Sequence, residues 1–376
     1  MNKLVEECFT LFTFKGEGCM KILFIYYVPS GGVETLARQR SLALQRKGVI
    51  FEFLYYQKGS GLQNIKEKTY ITDKDHVIQS IVEREKYNAI IVNTDNVIIE
   101  KLRKMGYKGK IIYEIQGLGS FEQAERFLEF VQPKIERHID AILYPQTPHL
   151  KKYIEKYFTN TKKYCFHNCI DTELFSYVEG LPTENNSIIG WVGRIEENKN
   201  WQLFLKICAR LLEWNKDLKV WMFGDDTLSF LTDEQKRKFE NQVAELGLEN
   251  VIERFSNVPY DQMPIYYSRI GNSGGFLCST SKVEGFGYAI VEAMSCMCPV
   301  ITTDSDGVKS FVFHNETGKI FPQDDVDAGV KEAKDLFNHP VLKQKIRTNA
   351  RDYIQHHFSP EIYAQHMMNM FKELKI

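Results

Sequence analysis

The sequence lacks any apolar run approaching the roughly 18–20 residues a membrane-crossing helix needs, so no spanning segment is expected. It also lacks a surplus of either charge. Lys+Arg number 48 against 49 Asp+Glu, which leaves no global positive field to hold a nucleic-acid backbone. Its cysteines lack metal-knuckle or redox spacing: only Cys165/Cys169 and Cys296/Cys298 lie close together, unlike paired zinc knuckles or Cys-x-x-Cys. Scattered thiols in a reducing cytoplasm are the expectation. The dinucleotide fingerprint G-x-G-x-x-G and the P-loop G-x-x-x-x-G-K-[ST] are absent, which counts against dehydrogenase and nucleoside-triphosphatase chemistry. Short repeats and low-complexity tracts are missing as well.

What remains is an ordinary folding composition, with 43% hydrophobic and 26% charged residues over 376 positions. At roughly 150 residues per domain this length predicts two cores. The charge is unevenly shared: residues 20–180 hold 24 basic against 19 acidic side chains, and residues 181–376 hold 22 against 27. Residues 1–19 do not read as a secretory signal, because Glu6 and Glu7 occupy the place of a basic leader and the apolar run Phe9–Phe14 is short and broken by threonines. Two readings of that stretch stay open. It is a tail, or translation starts at Met20 and Lys15-Gly16-Glu17-Gly18 reflects a purine-rich ribosome-binding string outside the native protein.

From Lys21 a strand-like run, KILFIYY, meets the turn VPSGG and then a helical pattern stopped by Gly48. Strand-like segments recur at Ile50–Tyr56, Ala89–Asn93, Ile111–Ile115, Ala141–Tyr144 and Tyr164–Phe166, with helical stretches between them. Residues Glu179–Ser187 are polar with Gly and Pro and read as a linker. The same alternation then restarts: Ile188–Val192, helix Trp201–Trp214, Leu218–Phe223, helix Asp233–Leu246, Val251–Phe255, Gly275–Cys278, helix Phe286–Ser295 and Pro299–Thr302. Helical patterns at Pro340–His357 and Pro360–Leu374 close the chain. The predicted class is α/β, two doubly wound parallel-sheet domains facing a central cleft. Their expected limits are 20–180 and 186–358, with 360–376 packing back on the first.

Ligands of such sheets bind in loops at the carboxyl ends of strands, so the chemistry is sought there. Gly31-Gly32 opens the first helix, where paired glycines and free helix N–H groups suit an anion. Arg194 and Lys199 stand five apart after the first strand of the second domain, a fork and a point charge able to grip a diphosphate. Glu284 and Glu292 are separated by seven residues, with Gly285-Phe286-Gly287 between them at the expected start of a helix. Loop amides there favour phosphate, while ionised carboxylates accept hydrogen bonds from hydroxyls.

With these motifs in place, residues 20–375 resemble the retaining GT-B glycosyltransferases of family 4. The resemblance is carried by Gly31-Gly32-Val33-Glu34, Asn168-Cys169-Ile170-Asp171 with Phe175, Val192-Gly193-Arg194 with Lys199, Phe223-Gly224-Asp225, and the S-x4-E-G-F-G-x4-E-A stretch from Ser279 to Ala293. It implies transfer of a sugar from a UDP- or GDP-type donor to a hydroxyl acceptor, with retention and without a required metal or other cofactor, in cell-surface polysaccharide or glycoconjugate synthesis. It implies that Arg194 and Lys199 clamp the diphosphate with Gly32 and the amides of Phe286, Gly287 and Tyr288. By the same resemblance Glu284 meets the donor sugar, Glu292 the ribose, and the Val258 loop borders the base.

Three departures stand out. Gln116, followed by Gly117, occupies the place of a family histidine expected to contact sugar; Met297 and Cys169 replace usual glycines. Rival readings are a nucleotide-sugar epimerase of the same fold and a non-catalytic glycosyltransferase-like partner subunit. The expected location is the cytoplasm. The basic and aromatic segment HLKKYIEKYFTNTKKY (residues 149–164) has two readings, a helix with its apolar face in the core and a contact with an anionic membrane surface carrying a lipid-linked acceptor.

Overall fold

β1 (Lys21–Tyr26) shows why the sheet forms. Its central residues Ile22, Leu23, Phe24 and Ile25 are all fully buried, the pattern of a parallel strand covered on both faces. The computed structural model describes residues 19–224 and 232–376, so the readings of residues 1–18 and of Asp225 lie outside the described residues. After β1 come α1 (Gly31–Gln45), β2 (Ile50–Tyr55), β3 (Thr69–Ile71), α2 (Asp75–Glu85), β4 (Ala89–Asn93) and α3 (Asn96–Lys104). The first sheet is completed by β5 (Lys110–Glu114), α4 (Phe121–Ile135), β6 (Ala141–Tyr144), α5 (Pro148–Tyr157) and β7 (Lys162–Cys165).

The second unit begins with β8 (Ser187–Val192), α6 (Trp201–Trp214), β9 (Leu218–Gly224), α7 (Asp233–Glu245), β10 (Ile252–Ser256) and α8 (Met263–Asn272). It continues through β11 (Phe276–Ser279), α9 (Tyr288–Ser295), β12 (Val300–Thr303), β13 (Lys319–Phe321), α10 (Val326–Asn338) and α11 (Pro340–His357) to the last helix, α12 (Pro360–Leu374).

Among the described residues the strand orders are β3-β2-β1-β4-β5-β6-β7 and β10-β9-β8-β11-β12-β13. Every pairing is parallel, with Leu23 opposite Glu52 and Ile90, and Gly190 opposite Trp221 and Leu277. The two sheets therefore repeat one topology. Their order reverses between β1 and β4 and between β8 and β11, and a crevice opens at the strand ends at each such reversal.

Alternate residues of β1 enter different cores. Leu23 and Ile25 pack with Ile98, Leu128 and Ile154, whereas Ile22 and Phe24 pack with Leu36 and with Met367 and Phe371 of α12. The last helix thus leaves the second unit and covers the first. Ser359 starts it, its side chain accepting from Ile362 N, with Pro360 preset for a first turn.

Two expectations need correction. The basic segment at 149–164 is not one helix: α5 ends at Tyr157, and Lys162 and Lys163 lie on β7 paired with β6. Tyr153, Ile154 and Phe158 of this segment are buried, which is the core-facing reading. The helix expected from Phe286 starts at Tyr288, because Gly287 takes φ +94, a left-handed conformation that ends the loop. Glu292 consequently sits little more than one turn inside α9.

Candidate active site

Both crevices open into one cavity of about 530 Å³ between the two units, within the usual range for small-molecule sites. Gly32, Gln116, Gly117, Arg194, Lys199, Val258, Glu284, Phe286, Gly287, Tyr288 and Glu292 all line it. These residues come from the segments that follow five strands, β1, β5, β8, β10 and β11, which the repeated topology gathers at strand carboxyl ends.

The loops meet backbone to backbone. A Cβ on Gly285 would lie 2.1 Å from the Gln116 carbonyl oxygen, and one on Gly307 would lie 2.3 Å from the Glu284 carbonyl oxygen. Gly285 is thus demanded by close approach of the other unit, a role distinct from the positive φ of Gly287. Asn198 binds two loops of the second unit together: its Nδ2 donates to Val283 O at 3.0 Å, and its Oδ1 accepts from Val283 N at 3.2 Å. That staple holds the Arg194–Lys199 loop against Glu284.

Lys199 Nζ lies 2.6 Å from Glu284 Oε1, with both side chains largely buried. Arg194 is about half exposed and pairs with Glu196 at 3.1 Å. A weak, solvated partner leaves its guanidinium fork free to exchange onto a phosphate. Glu292 is 6% exposed and accepts from Tyr267 Oη at 3.0 Å. Burial pushes its carboxyl up to about 7, against the lowering effect of the Tyr267 hydrogen bond and the nearby Arg38.

On the opposite wall, Gln116 is fixed at both ends of its amide. Nε2 donates to Glu114 Oε1 at 2.8 Å, and Oε1 accepts from Asn168 Nδ2 at 2.7 Å. Glu114 is itself held by Arg40 and accepts from Asn93 at 3.2 Å, and Arg40 Nε donates to Tyr363 Oη of α12 at 2.8 Å. The last helix therefore reaches the cavity through three side chains.

Several lining or bridging residues escaped the sequence reading. Tyr260 receives the Arg38 guanidinium 3.7 Å from its ring centroid and a hydrogen bond from Gln39, and its backbone N donates to Asn64 Oδ1 at 3.3 Å. Arg38 in turn pairs with buried Glu34 at 3.0 Å, so Glu34 of the Gly-Gly-Val-Glu motif serves the domain contact. His149 and Asp306 face each other across the same boundary at 2.6 Å. The Glu34–Arg38 pair has helical i,i+4 spacing, but no spacing in the sequence announces the pairs that cross the boundary.

Two parallel doubly wound domains enclosing a shared cleft define the GT-B architecture. Anabaena Alr3699/HepE, solved in complex with UDP-glucose, superposes with a TM-score of 0.80 over 94% of this chain and 100% of that one at 16% identity. Residues 177–353 match the family model described as Glycosyl transferases group 1. The capsular polysaccharide biosynthesis glycosyltransferase CapM of Staphylococcus aureus is 27% identical over 187 residues, 50% of this chain and 46% of CapM. An N-acetylgalactosaminyltransferase of Campylobacter jejuni, whose name gives a diphospho-undecaprenol-linked substrate, is 25% identical over 231 residues, 58% of each chain. The chain thus spans about half the length of the curated relatives it matches.

Proposed function

We propose that this protein is a retaining glycosyltransferase that moves a sugar from a nucleoside-diphosphate donor to a hydroxyl acceptor, without a required metal, in cell-surface polysaccharide or glycoconjugate synthesis. The observation that carries this reading is the convergence of Arg194, Lys199, Glu284 and Glu292 with the glycine loops in one cavity between two Rossmann-like units. The group 1 match and the relatives' names support it.

In this reading Arg194, Lys199, Gly32 and the amides of Phe286, Gly287 and Tyr288 hold the diphosphate and stabilise it as it leaves. Lys199 exchanges part of its contact with Glu284 for a phosphate oxygen, and freed Glu284 accepts from a donor-sugar hydroxyl. Glu292 accepts from the ribose, and Val258 borders the base. Gln116, its amide immobilised, and Gly117 form the wall beside the transferred sugar. Attack comes from the face of the leaving phosphate, whose oxygen takes the acceptor proton, so catalysis rests on positioning.

A UDP- and GDP-sugar panel scored by thermal shift, followed by nucleoside diphosphate release, tests this. A binding donor raises stability with its concentration. Arg194→Ala and Glu284→Ala are expected to cut release at least about 100-fold, the scale for a lost charge-stabilising contact, and EDTA is expected to leave it unchanged. Free epimerised nucleotide sugar, or donor binding without any release, would replace this reading with the epimerase or the inactive subunit. For a membrane-linked acceptor, the first unit offers Phe121 and Phe130, 57% and 58% exposed on α4, beside exposed Lys151, Lys152 and Lys156 on α5. Co-sedimentation with anionic vesicles, lost on Phe121→Ser with Phe130→Ser, checks that contact.

A further inference from the structure

His149 and Asp306 are not among the residues used above, and what they do rests on the glycosyltransferase reading. His149 lies in the first turn of α5, in the first domain; Asp306 follows β12, in the second. Asp306 Oδ2 receives two contacts from His149, Nδ1 at 2.6 Å and the backbone N–H at 3.1 Å. Burial alone would raise the Asp306 carboxyl, yet the two hydrogen bonds from His149, with Lys309 nearby, hold it below its ordinary value. An ionised carboxylate only accepts, so Nδ1 carries the ring proton.

The other nitrogen, Nε2, is buried and has no hydrogen-bond partner among the described residues, while His149, 4% exposed, lines the central cavity together with Gly117, Leu118, Gly119 and Glu284. Phe121 meets the ring edge-on at 5.1 Å, and two residues earlier Thr147 Oγ1 donates to Gly285 O at 2.6 Å, which ties this segment to the second domain. A buried polar atom without a partner among the described residues, on a residue that lines a cavity, calls for a partner that a ligand group can supply. Arg194, Lys199 and Glu292 mark the donor wall in the second domain. His149 stands on the first-domain wall with the Gln116–Gly119 loop, and a ring that carries a single proton, on Nδ1, presents a lone pair at Nε2. That suits a hydroxyl.

We propose that His149 binds the acceptor, its Nε2 accepting a hydrogen bond from a sugar hydroxyl, and that Asp306 is a positioning residue that fixes the tautomer from the opposite domain. One residue comes from each domain, so this part of the acceptor site exists only when the cleft is closed.

The test uses full-length protein labelled with [15N]histidine and bound to UDP, with the His149 signals identified by their loss in His149→Phe. Methyl hexopyranosides and methyl N-acetylhexosaminides serve as acceptor probes. The wild type is expected to show a protonated Nδ1 and an unprotonated Nε2, with the Nε2 signal moving when a glycoside that stimulates UDP release is added. Asp306→Asn, whose amide can turn its N–H toward Nδ1, is expected to shift part of the ring population to the other tautomer. In both variants UDP affinity is expected to stay within about threefold of wild type while kcat/KM for the glycoside falls about tenfold through KM, the scale of one hydrogen bond. An Nε2 that is protonated in the wild type, or that ignores every glycoside while UDP binds, overturns the proposal. Wild-type protein that binds neither UDP nor GDP sinks the glycosyltransferase reading and this inference with it.

Discussion

The loop after β1 in the first domain leads into Gly31-Gly32 at the start of α1, while the loop at the same place in the second domain, after β8, carries Arg194 and Lys199. Both loops lead into helices, and both sheets run in the same order. The first domain offers a backbone that a ligand can approach; the second offers charge. A similar division holds for two buried glutamates. Glu114 at the end of β5 has a permanent cationic partner in Arg40, whereas Glu292 in α9 is buried against Tyr267 and its carboxyl is pushed up to about 7. Shared topology sets where loops gather, and the residues placed there decide whether a buried carboxylate is matched by a cation or only by a hydroxyl.

The sharpest way to break this contrast is to remove the scaffold carboxylate. Glu114→Ala strands the Arg40 guanidinium, which is fully buried, and loosens Gln116 as well. Removing one member of a buried pair costs about 3–5 kcal/mol. Urea denaturation is expected to find a loss of that size, and replacing both partners, Arg40→Met with Glu114→Leu, is expected to recover most of it. A single variant as stable as wild type would mean that Arg40 finds solvent or another acceptor.

Glu292→Gln is expected to act in the opposite direction on stability. A carboxyl whose folded value is raised from 4.5 to about 7 contributes stability that is full at low pH and lost as pH rises through about 7. The neutral amide removes that dependence. The variant's advantage over wild type is therefore expected to grow between pH 5 and pH 8 by up to about 3 kcal/mol, with nucleotide affinity falling at the same time. Parallel stability curves across that range would show that Glu292 is solvated in the folded chain. The equivalent change at Glu114 is expected to cost stability instead, because it removes the carboxylate that pairs with fully buried Arg40.

Much of this division was legible before the structure. The strand–helix alternation is a local signal, and three helices run as the pattern predicts: Trp201–Trp214, Pro340–His357 and Pro360–Leu374. β3 and β13 were missed, since three-residue strands at sheet edges carry no period to detect. The loops nominated for chemistry line one cavity, because glycines and charges after strands are readable locally. Arg38 with Tyr260, Gln39 with Tyr260 and His149 with Asp306 were not, since each pair unites residues from different domains, 221 positions apart for Gln39 and Tyr260 and 157 for His149 and Asp306. Such contacts are decided by how the two units dock, and one sequence carries no trace of that.

The smallest expected effect comes from the corner leading into the strand after the switch point. In the first domain α3 ends at Gly106, φ +89, before β5; in the second, α9 ends at Met297, φ +57, before β12. A left-handed residue with a side chain costs about 1–2 kcal/mol relative to glycine, and glycine gives back roughly half of that through its freer unfolded chain. Met297 O accepts from Arg347 Nε at 2.7 Å, a backbone contact that glycine keeps, while the Sδ contact with Arg351 at 3.5 Å is lost. Arg351 retains Asp352 at 2.8 Å, so that loss is minor. Met297→Gly is therefore expected to stabilise the second domain by about 0.5–1 kcal/mol, read as a rise in its unfolding midpoint of roughly 2 °C, and Gly106→Met to destabilise the first by a similar amount. If Met297→Gly lowers the midpoint instead, the methionine side chain packs against α11 more favourably than its backbone is strained, and the two corners differ by design of the core.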